Sequence, residues 1–290
     1  MLHLYDKIFH VGFPYLDNAL HECIIHSAGE AHINLKCKIN YQDKILIKAR
    51  LNNSNNIMEL IMLADAISRC NRTYQSILDL YAPYMPYSRA DRVVGNGGGD
   101  ANGIARFSEL IRNFFKRIYT LDMHSLQGLH ALTLTSATIS NHIPYEKFVR
   151  NLVKIYDIKD YCLVAPDAGS QDKVNCFANI LKVPVFQLEK KRDQSEKGKI
   201  ISFSPVNSFP GTKAAIILDD ICDGGGTFIK AASCIPRPTK LFLGITHGIF
   251  SKGLMPLWSA GFEGIITTDS FSQHKHNYND LIVLGVDTCL

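Results

Sequence analysis

The chain has 290 residues, of which 46% are hydrophobic and 20% are charged. This composition excludes a disordered chain, which would lack the apolar content that offsets the entropy lost on folding, and the length suits about two domains. With 31 Lys and Arg against 27 Asp and Glu, the net charge of +4 is too small to indicate a nucleic-acid partner, and we expect none.

The first half alternates β-branched runs with helical periodicity, a pattern that is typical of a parallel α/β sheet. Strands are predicted at residues 44–49, 76–84 and 117–122, the last with His124 just beyond its end. A helix is predicted at residues 56–70, where apolar residues recur at helical spacing near an Asn that could cap it. A second helix is predicted to follow a Gly- and Asn-rich loop at residues 95–100.

The same alternation begins again near residue 140. Strands are predicted at residues 161–165, 183–186, 214–218, 241–245, 264–268 and 281–284, with helices at 171–181 and 228–234. We therefore predict an α/β fold of two similar domains, residues 1–140 and 141–290, each a mainly parallel sheet flanked by helices.

The compartment is predicted from three further features. No apolar run approaches the ~18 residues of a membrane span, and the first residues lack the basic and then apolar pattern of a signal peptide. The eight cysteines include no C-x-x-C pair and are expected to be reduced thiols. We expect a cytoplasmic protein without a membrane partner.

The sharpest local signal is the segment 216–227, in which an apolar strand runs into carboxylates, a triple glycine and a threonine. Ligands bind at the carboxyl ends of strands in such sheets, and glycines let backbone N–H groups surround a phosphate at a helix N-terminus. The alternative interpretation is a tight turn with a helix cap. The candidate binding residues are Asp219, Asp220, Asp223, Gly224, Gly225, Gly226 and Thr227.

This segment resembles the phosphoribosyl-pyrophosphate loop of type I phosphoribosyltransferase folds, in particular the Asp-Asp-x-x-Asp-Thr-Gly-Gly-Thr of ribose-phosphate diphosphokinases (PRPP synthetases). Six other segments are similar to motifs of that family and occur in the family's order. They are residues 56–60 (Asn-Ile-Met-Glu-Leu), 86–92 (Pro-Tyr-Ser-Arg-Ala-Asp-Arg), 121–124 (Leu-Asp-Met-His), 165–169 (Ala-Pro-Asp-Ala-Gly), 189–192 (Glu-Lys-Lys-Arg) and 246–251 (Thr-His-Gly-Ile-Phe-Ser).

The resemblance implies two type I phosphoribosyltransferase-like domains, the first with ATP-binding segments and the second with the sugar-phosphate and catalytic loops. It implies transfer of the diphosphoryl group of MgATP to the anomeric hydroxyl of ribose 5-phosphate, leaving AMP. Such a reaction depends on positioning the two substrates and on cations that stabilise the phosphates, more than on a protein nucleophile. The resemblance also implies a homo-oligomer, a dimer or a hexamer.

Residue roles follow from the same resemblance. Lys190 and Arg192 match a flexible catalytic loop, although a solvated charge run is the alternative for that segment. His124 and Asp167 match Mg²⁺-associated residues. The matched ATP-binding residues are His26, Glu30, Arg89, Asp91 and Arg92.

The sequence also departs from the family pattern. His26 stands where relatives stack an aromatic ring on adenine, while Ala28 replaces a base-contacting aspartate and Ala90 a glutamine. These changes weaken the expectation of standard adenine contacts. Residues 96–99 replace a more basic stretch, which argues against regulation by ADP or phosphate there.

Gly224 is the departure that bears on the acceptor. It replaces a threonine whose hydroxyl would donate to a terminal 5-phosphate, so one hydrogen bond is lost and space is opened. The acceptor could therefore be ADP-ribose, giving ADP-ribose 1-diphosphate, or ribose 5-phosphate if the change is neutral. Two other classes stay open: a non-catalytic PRPP synthetase-associated regulatory protein, and a phosphoribosyltransferase, which would not explain the motifs of the first half.

Overall fold

The chain folds into two α/β units, Met1–His142 with Leu290, and Ile143–Cys289. The computed structural model describes residues 2–13, 19–40, 42–70, 78–92, 100–133, 135–192, 200–271 and 280–290, without the side chains of residues 191, 192, 200 and 201. Each unit contains a mainly parallel sheet flanked by helices, which confirms the predicted fold class.

The first unit contains seven strands and three helices within its described residues. The strands are β1 (Lys7–Val11), β2 (His21–Ile25), β3 (Ala31–Leu35), β4 (Ile45–Ala49), β5 (Leu78–Tyr81), β6 (Arg117–Leu121) and β7 (Thr138–His142), and the helices are α1 (Ser54–Cys70), α2 (Gly103–Ile111) and α3 (Leu126–Leu132). Five strands form a parallel sheet in the order β1-β4-β5-β6-β7, and β2 and β3 form a separate antiparallel hairpin.

Burial on both faces explains why the central strands of this sheet are apolar throughout. All five residues of β4 are buried, as expected for a parallel strand covered on both sides. The α1 helix packs one face into the same core through Ile57, Leu60, Leu63, Ala64 and Ile67. Its cap is Asn53, whose side-chain oxygen accepts from the backbone N–H of Asn56 at 3.0 Å.

The second unit contains a larger sheet. Its strands are β8 (Tyr161–Ala165), β9 (Val185–Arg192), β10 (Ile200–Pro205), β11 (Ala214–Cys222), β12 (Lys240–Gly248), β13 (Phe262–Thr268) and β14 (Leu281–Leu284), and its helices are α4 (Tyr145–Ile155), α5 (Gln171–Leu181), α6 (Gly226–Ala232) and α7 (Met255–Ser259). The strand order is β10-β9-β8-β11-β12-β13-β14, in which all pairs are parallel except β9 with β10.

The strands β9 and β11 extend further at their carboxyl ends than the sequence pattern predicts. The prediction ended β11 at Leu218, whereas the strand continues through Asp219 and Asp220 to Cys222, paired with Gly248 of β12. The prediction ended β9 at Phe186, whereas the strand reaches Arg192 because β10 pairs with it. In both cases a partner strand from elsewhere in the chain extends the ladder past the apolar run.

Other differences concern elements without a strong local pattern. The sequence pattern did not predict β1, β7, β10, the β2–β3 hairpin, α3, α4 or α7. Most of the predicted loop at residues 95–100, and residues 76–77 of the predicted second strand, lie outside the described residues. Among the residues that are described, no helix combines the length and the apolar character needed to cross a membrane.

The carboxylate of Asp79 joins three parts of the first unit. Asp79 is buried on β5, and its Oδ2 atom accepts from the Tyr5 hydroxyl at 2.7 Å and from Arg117 Nη2 at 2.7 Å and Nε at 3.0 Å. Removing it would leave the tyrosine hydroxyl and the half-exposed guanidinium without this acceptor.

We expect Asp79→Ala to lower the free energy of unfolding by about 1–3 kcal/mol, measured by urea denaturation followed by circular dichroism. Asp65→Ala is the control, since Asp65 forms an exposed pair with Arg69 one helical turn away and should change stability by less than about 0.5 kcal/mol. Equal effects of the two substitutions would show that the Asp79 network does not stabilise the unit.

Candidate functional site

Four charged side chains of the second unit come together at the carboxyl ends of adjacent parallel strands. Asp167 follows β8, Lys190 lies on β9, and Asp219 and Asp220 lie on β11, with β8 between the other two strands. The Lys190 ammonium donates to Asp167 Oδ2. Of the residues predicted from sequence, these four are therefore brought to one edge of the sheet, where ligands bind in this type of fold.

Ser170 holds the loop that carries Asp167. The Ser170 backbone N–H donates to Asp167 Oδ1 at 3.1 Å, and its hydroxyl donates to the Asp167 carbonyl oxygen at 2.9 Å. These bonds orient the carboxylate, whose other oxygen accepts from Lys190. The sequence analysis did not single out Ser170, although a Ser three residues after an Asp is a recognisable turn signal.

The carboxylates of this cluster repel one another. Burial, and then the charges of Asp220 and Asp167, raise the pKa of Asp219 well above its ordinary value of 3.8, although Lys190 opposes this shift. The Asp220 backbone N–H donates to Asp219 Oδ1 at 3.0 Å, so the carboxylate is also held in orientation. Three carboxylates and one ammonium make a site that favours an added cation.

The glycine-rich loop lies directly beyond these aspartates. Gly225 has a φ of +75°, a left-handed conformation that suits glycine, and a β-carbon there would lie 3.2 Å from Leu257. The α6 helix begins at Gly226, so its first N–H groups lack intrahelical acceptors. The predicted binding residues Asp223, Gly224, Gly225, Gly226 and Thr227 therefore do lie at a strand–turn–helix junction.

Cys222 lies inside this segment but has no reactive character. Its side chain is buried in the core, and burial, followed by the charges of Asp219 and Asp223, raises the pKa of the thiol to about 12. Since the thiolate is the nucleophilic form, this thiol is an apolar packing group at neutral pH.

In the first unit, two predicted segments follow adjacent strands of the sheet. Residues 86–92 follow β5 and carry Arg89, Asp91 and Arg92, while His124 follows β6. The Ser125 hydroxyl, which caps α3, donates to Asp91 Oδ2 and so joins the two segments. The side chains of Arg89, Arg92 and His124 are exposed.

The remaining predicted ATP-binding residues lie on the β2–β3 hairpin. His26 and Glu30 are exposed at its turn, where the His26 N–H donates to the Glu30 carbonyl oxygen at 2.9 Å. Glu59 of α1 anchors the hairpin, because its Oε1 atom lies 2.9 Å from His21 Nε2 on β2. The hairpin thus carries His26 and Glu30 at an exposed turn.

One predicted element differs from the structure. Lys190 and Arg192 were expected on a flexible loop, whereas both lie on β9, and Arg192 pairs with Ile200 of β10 through the backbone. The side chain of Arg192 lies outside the described part of the chain, as do residues 193–199 and 96–99.

The oxygen donors suit Mg²⁺, although the described residues contain no group of three or more His, Cys, Asp or Glu arranged to hold a metal. Mg²⁺ commonly binds through one or two carboxylates together with water and substrate phosphates. The adjacent carboxylates of Asp167, Asp219 and Asp220 fit that mode, since burial and the neighbouring negative charges raise the pKa of Asp219 and an added cation would offset those charges.

No protein-family model matches the chain, but curated proteins do. The chain is 26% identical over 216 residues to the ribose-phosphate pyrophosphokinase of Pyrococcus furiosus, covering 74% of this chain and 73% of that protein. It is 28% identical over 269 residues to the ribose-phosphate pyrophosphokinase of Thermosipho africanus, covering 89% of this chain and 81% of that protein. It is 25% identical over 275 residues to the ribose-phosphate pyrophosphokinase of Corynebacterium glutamicum, covering 89% of this chain and 78% of that protein.

The chain is similar to ribose-phosphate pyrophosphokinases over most of its length. The fold agrees: the crystal structure of phosphoribosylpyrophosphate synthetase from Mycobacterium smegmatis superposes with a TM-score of 0.77 over 92% of this chain and 86% of that chain, at 20% identity. The family resemblance expected from the motifs is confirmed. At these identities, the chain is a divergent ribose-phosphate pyrophosphokinase relative, and its residue roles and substrate stay predictions.

The raised pKa of Asp219 leads to a stability prediction. An acid whose pKa is higher in the folded state destabilises that state once the pH exceeds the ordinary value, here 3.8, because ionisation then costs more in the folded protein. Asp219→Asn keeps an oxygen for the Asp220 N–H but carries no charge. We expect its melting temperature to exceed that of the wild type at pH 7, and the difference to shrink as the pH falls toward 3.8.

Asp65→Asn is the control, since Asp65 lies on α1 in an exposed pair with Arg69. Thermal unfolding of the three proteins between pH 4 and pH 8 measures the effect. A destabilised Asp219→Asn variant at pH 7 would contradict the assignment of like-charge repulsion at this site.

Proposed function

We propose that the protein is a Mg²⁺-dependent diphosphokinase that transfers the β,γ-diphosphate of ATP to the C1 hydroxyl of a 5-phosphorylated ribose. The oxygen on C1 forms a bond to the β-phosphorus, the bond from that phosphorus to the α–β bridging oxygen breaks, and AMP leaves. The hydroxyl proton is released to water. The observation that carries this proposal is the cluster of Asp167, Lys190, Asp219 and Asp220 beside the glycine loop.

The charges of the cluster suit this chemistry. Charge develops on the transferred group and on the leaving AMP, so a preoriented cation lowers the barrier more than a nucleophile would. Lys190 is held by Asp167, and the proposed role of its ammonium is to contact the transferred phosphates. Arg192, two residues further along β9, is proposed to share that role.

The acceptor is proposed to bind at the end of β11. Asp219 and Asp220 offer carboxylate oxygens, which accept hydrogen bonds from sugar hydroxyls. The glycine loop and the first N–H groups of α6 offer donors for the 5-phosphate.

The metal and the nucleotide complete the proposed site. Bound Mg²⁺ would neutralise phosphate charge, and the proposed residues that hold it are Asp167 and His124. The proposed ATP-binding residues are His26, Glu30, Arg89, Asp91 and Arg92, of which Asp91 is oriented by Ser125. We further propose a homo-oligomer that works in the cytoplasm, an environment that suits eight free thiols.

ADP-ribose is the second candidate acceptor, and the geometry at Gly224 favours it. Gly224 does not have a positive φ, and a β-carbon there would make contacts of 3.4 Å or more, with the flexible side chain of Lys252. The backbone therefore does not require glycine at this position. A missing side chain beside the phosphate loop is then suited to an acceptor whose 5-phosphate carries a further group.

A regulatory protein without catalytic activity is the competing class. AMP release from ATP in the presence of Mg²⁺, measured with ribose 5-phosphate and with ADP-ribose, separates the classes. AMP release that depends on the presence of either acceptor supports the proposal that the protein is an enzyme. No release with both acceptors would favour the regulatory protein.

We expect Lys190→Ala to lower kcat for AMP release by about 10²–10³-fold, because a preoriented cation is lost from the site. Lys240→Ala is the matched control, since Lys240 lies at the opposite end of β12 in a surface pair with Glu263. Its kcat should equal that of the wild type. A Lys190→Ala enzyme with wild-type kcat would remove Lys190 from the proposed mechanism.

Gly224→Thr tests the acceptor. The new hydroxyl should donate to a terminal 5-phosphate and lower the KM for ribose 5-phosphate by about 2–10-fold. The same side chain should raise the KM for ADP-ribose by crowding the group beyond the 5-phosphate. Gly224→Ala adds bulk without a donor and should affect only ADP-ribose. An unchanged ratio of the two KM values would show that residue 224 does not select the acceptor.

A further inference from the structure

Lys252 lies on a turn that is bonded directly to the glycine-rich loop. The turn follows β12, and its backbone N–H groups of Ile249 and Phe250 donate to the Cys222 carbonyl oxygen at 2.8 and 3.1 Å. The Ser251 N–H donates to the Asp223 carbonyl oxygen at 3.1 Å. The two segments are therefore held in a fixed register, and the position of the Lys252 backbone beside the loop follows from these bonds.

The methylene chain of Lys252 lies across Gly224. A β-carbon on Gly224 would be 3.4 Å from Cδ and Cε of Lys252 and 3.6 Å from its Cγ. Because Gly224 has no side chain, the lysine can lie close to the loop backbone. The residue is exposed, and within the part of the chain that the structure describes its ammonium forms no ion pair.

We propose that Lys252 is a specificity-determining residue that binds the second phosphate of an acceptor in which the ribose 5-phosphate is linked to a further phosphate. This proposal rests on the proposed function, since it takes the glycine loop as the site of the 5-phosphate. The chemical class of the acceptor is a ribose joined through a diphosphate to another group, of which ADP-ribose is the test compound.

The placement of the charge explains why the second phosphate is the target. In the proposed function, the backbone N–H groups of the glycine loop bind the 5-phosphate. The methylene chain of Lys252 lies over Gly224, and the residue is on an exposed turn. A 5-phosphate that ends in the loop leaves this ammonium in solvent, whereas a diphosphate-linked acceptor carries its second negative charge outward past Gly224. An ammonium there forms a charge-assisted hydrogen bond.

Lys252→Met tests the proposal, because methionine keeps an unbranched apolar side chain against Gly224 and removes the charge. Isothermal titration calorimetry without ATP measures the Kd of ADP-ribose and of ribose 5-phosphate. We expect the Kd of ADP-ribose to rise about tenfold or more and that of ribose 5-phosphate to change by less than about twofold. Lys252→Arg should retain most of the affinity, and Lys240→Met, a surface lysine outside the site, should change neither Kd.

The same titrations include the outcomes that overturn the proposal. They are equal changes in both Kd values, an unchanged Kd for ADP-ribose, or a wild type that does not bind ADP-ribose. Failure of the proposed function has a different signature, namely no AMP release by the wild type with either acceptor. Binding is measured without turnover, so the role of Lys252 in binding is decided even if catalysis is absent.

Discussion

The arrangement of charge at the end of β11 is the constraint on which the rest of the site depends. Asp219 and Asp220 lie beside Asp167, and one ammonium, that of Lys190, partly compensates the three carboxylates. Burial, together with the charges of Asp220 and Asp167, raises the pKa of Asp219, and its ionisation destabilises the folded protein at neutral pH. A fold retains such a cost where the charges serve binding or catalysis, and a polyanionic substrate carrying a divalent cation would relieve it.

The sheet of the second unit provides the precision that this arrangement needs. The β11 strand is buried between β8 and β12 and remains paired as far as Cys222, so the two aspartates lie on a regular strand and not on a free loop. The glycine loop beyond them is held by three backbone hydrogen bonds from the turn after β12. That turn also carries Lys252, so the same hydrogen bonds position the lysine beside the loop.

Local patterns predicted much of this fold, and tertiary pairing accounts for the rest. The strands β8 and β14 and the helix α5 have the predicted bounds, because buried runs and helical periodicity are local signals. The extension of β11 depends on β12, and the hairpin β2–β3 lacks a strong apolar pattern. The motifs indicated Asp167, Lys190 and Asp219, and the turn signal after Asp167 could have indicated Ser170. The contact of Lys252 with Gly224 joins residues far apart in the sequence and has no local signal.

The central claim is that the acceptor hydroxyl attacks the β-phosphorus of ATP. It is tested most directly with ATP that carries ¹⁸O in the α–β bridging position, incubated with Mg²⁺ and each acceptor and followed by mass spectrometry of both products. The account predicts that all the label appears in AMP and that the acceptor gains two unlabelled phosphoryl groups. Label in the diphosphorylated product, or ADP in place of AMP, would contradict it.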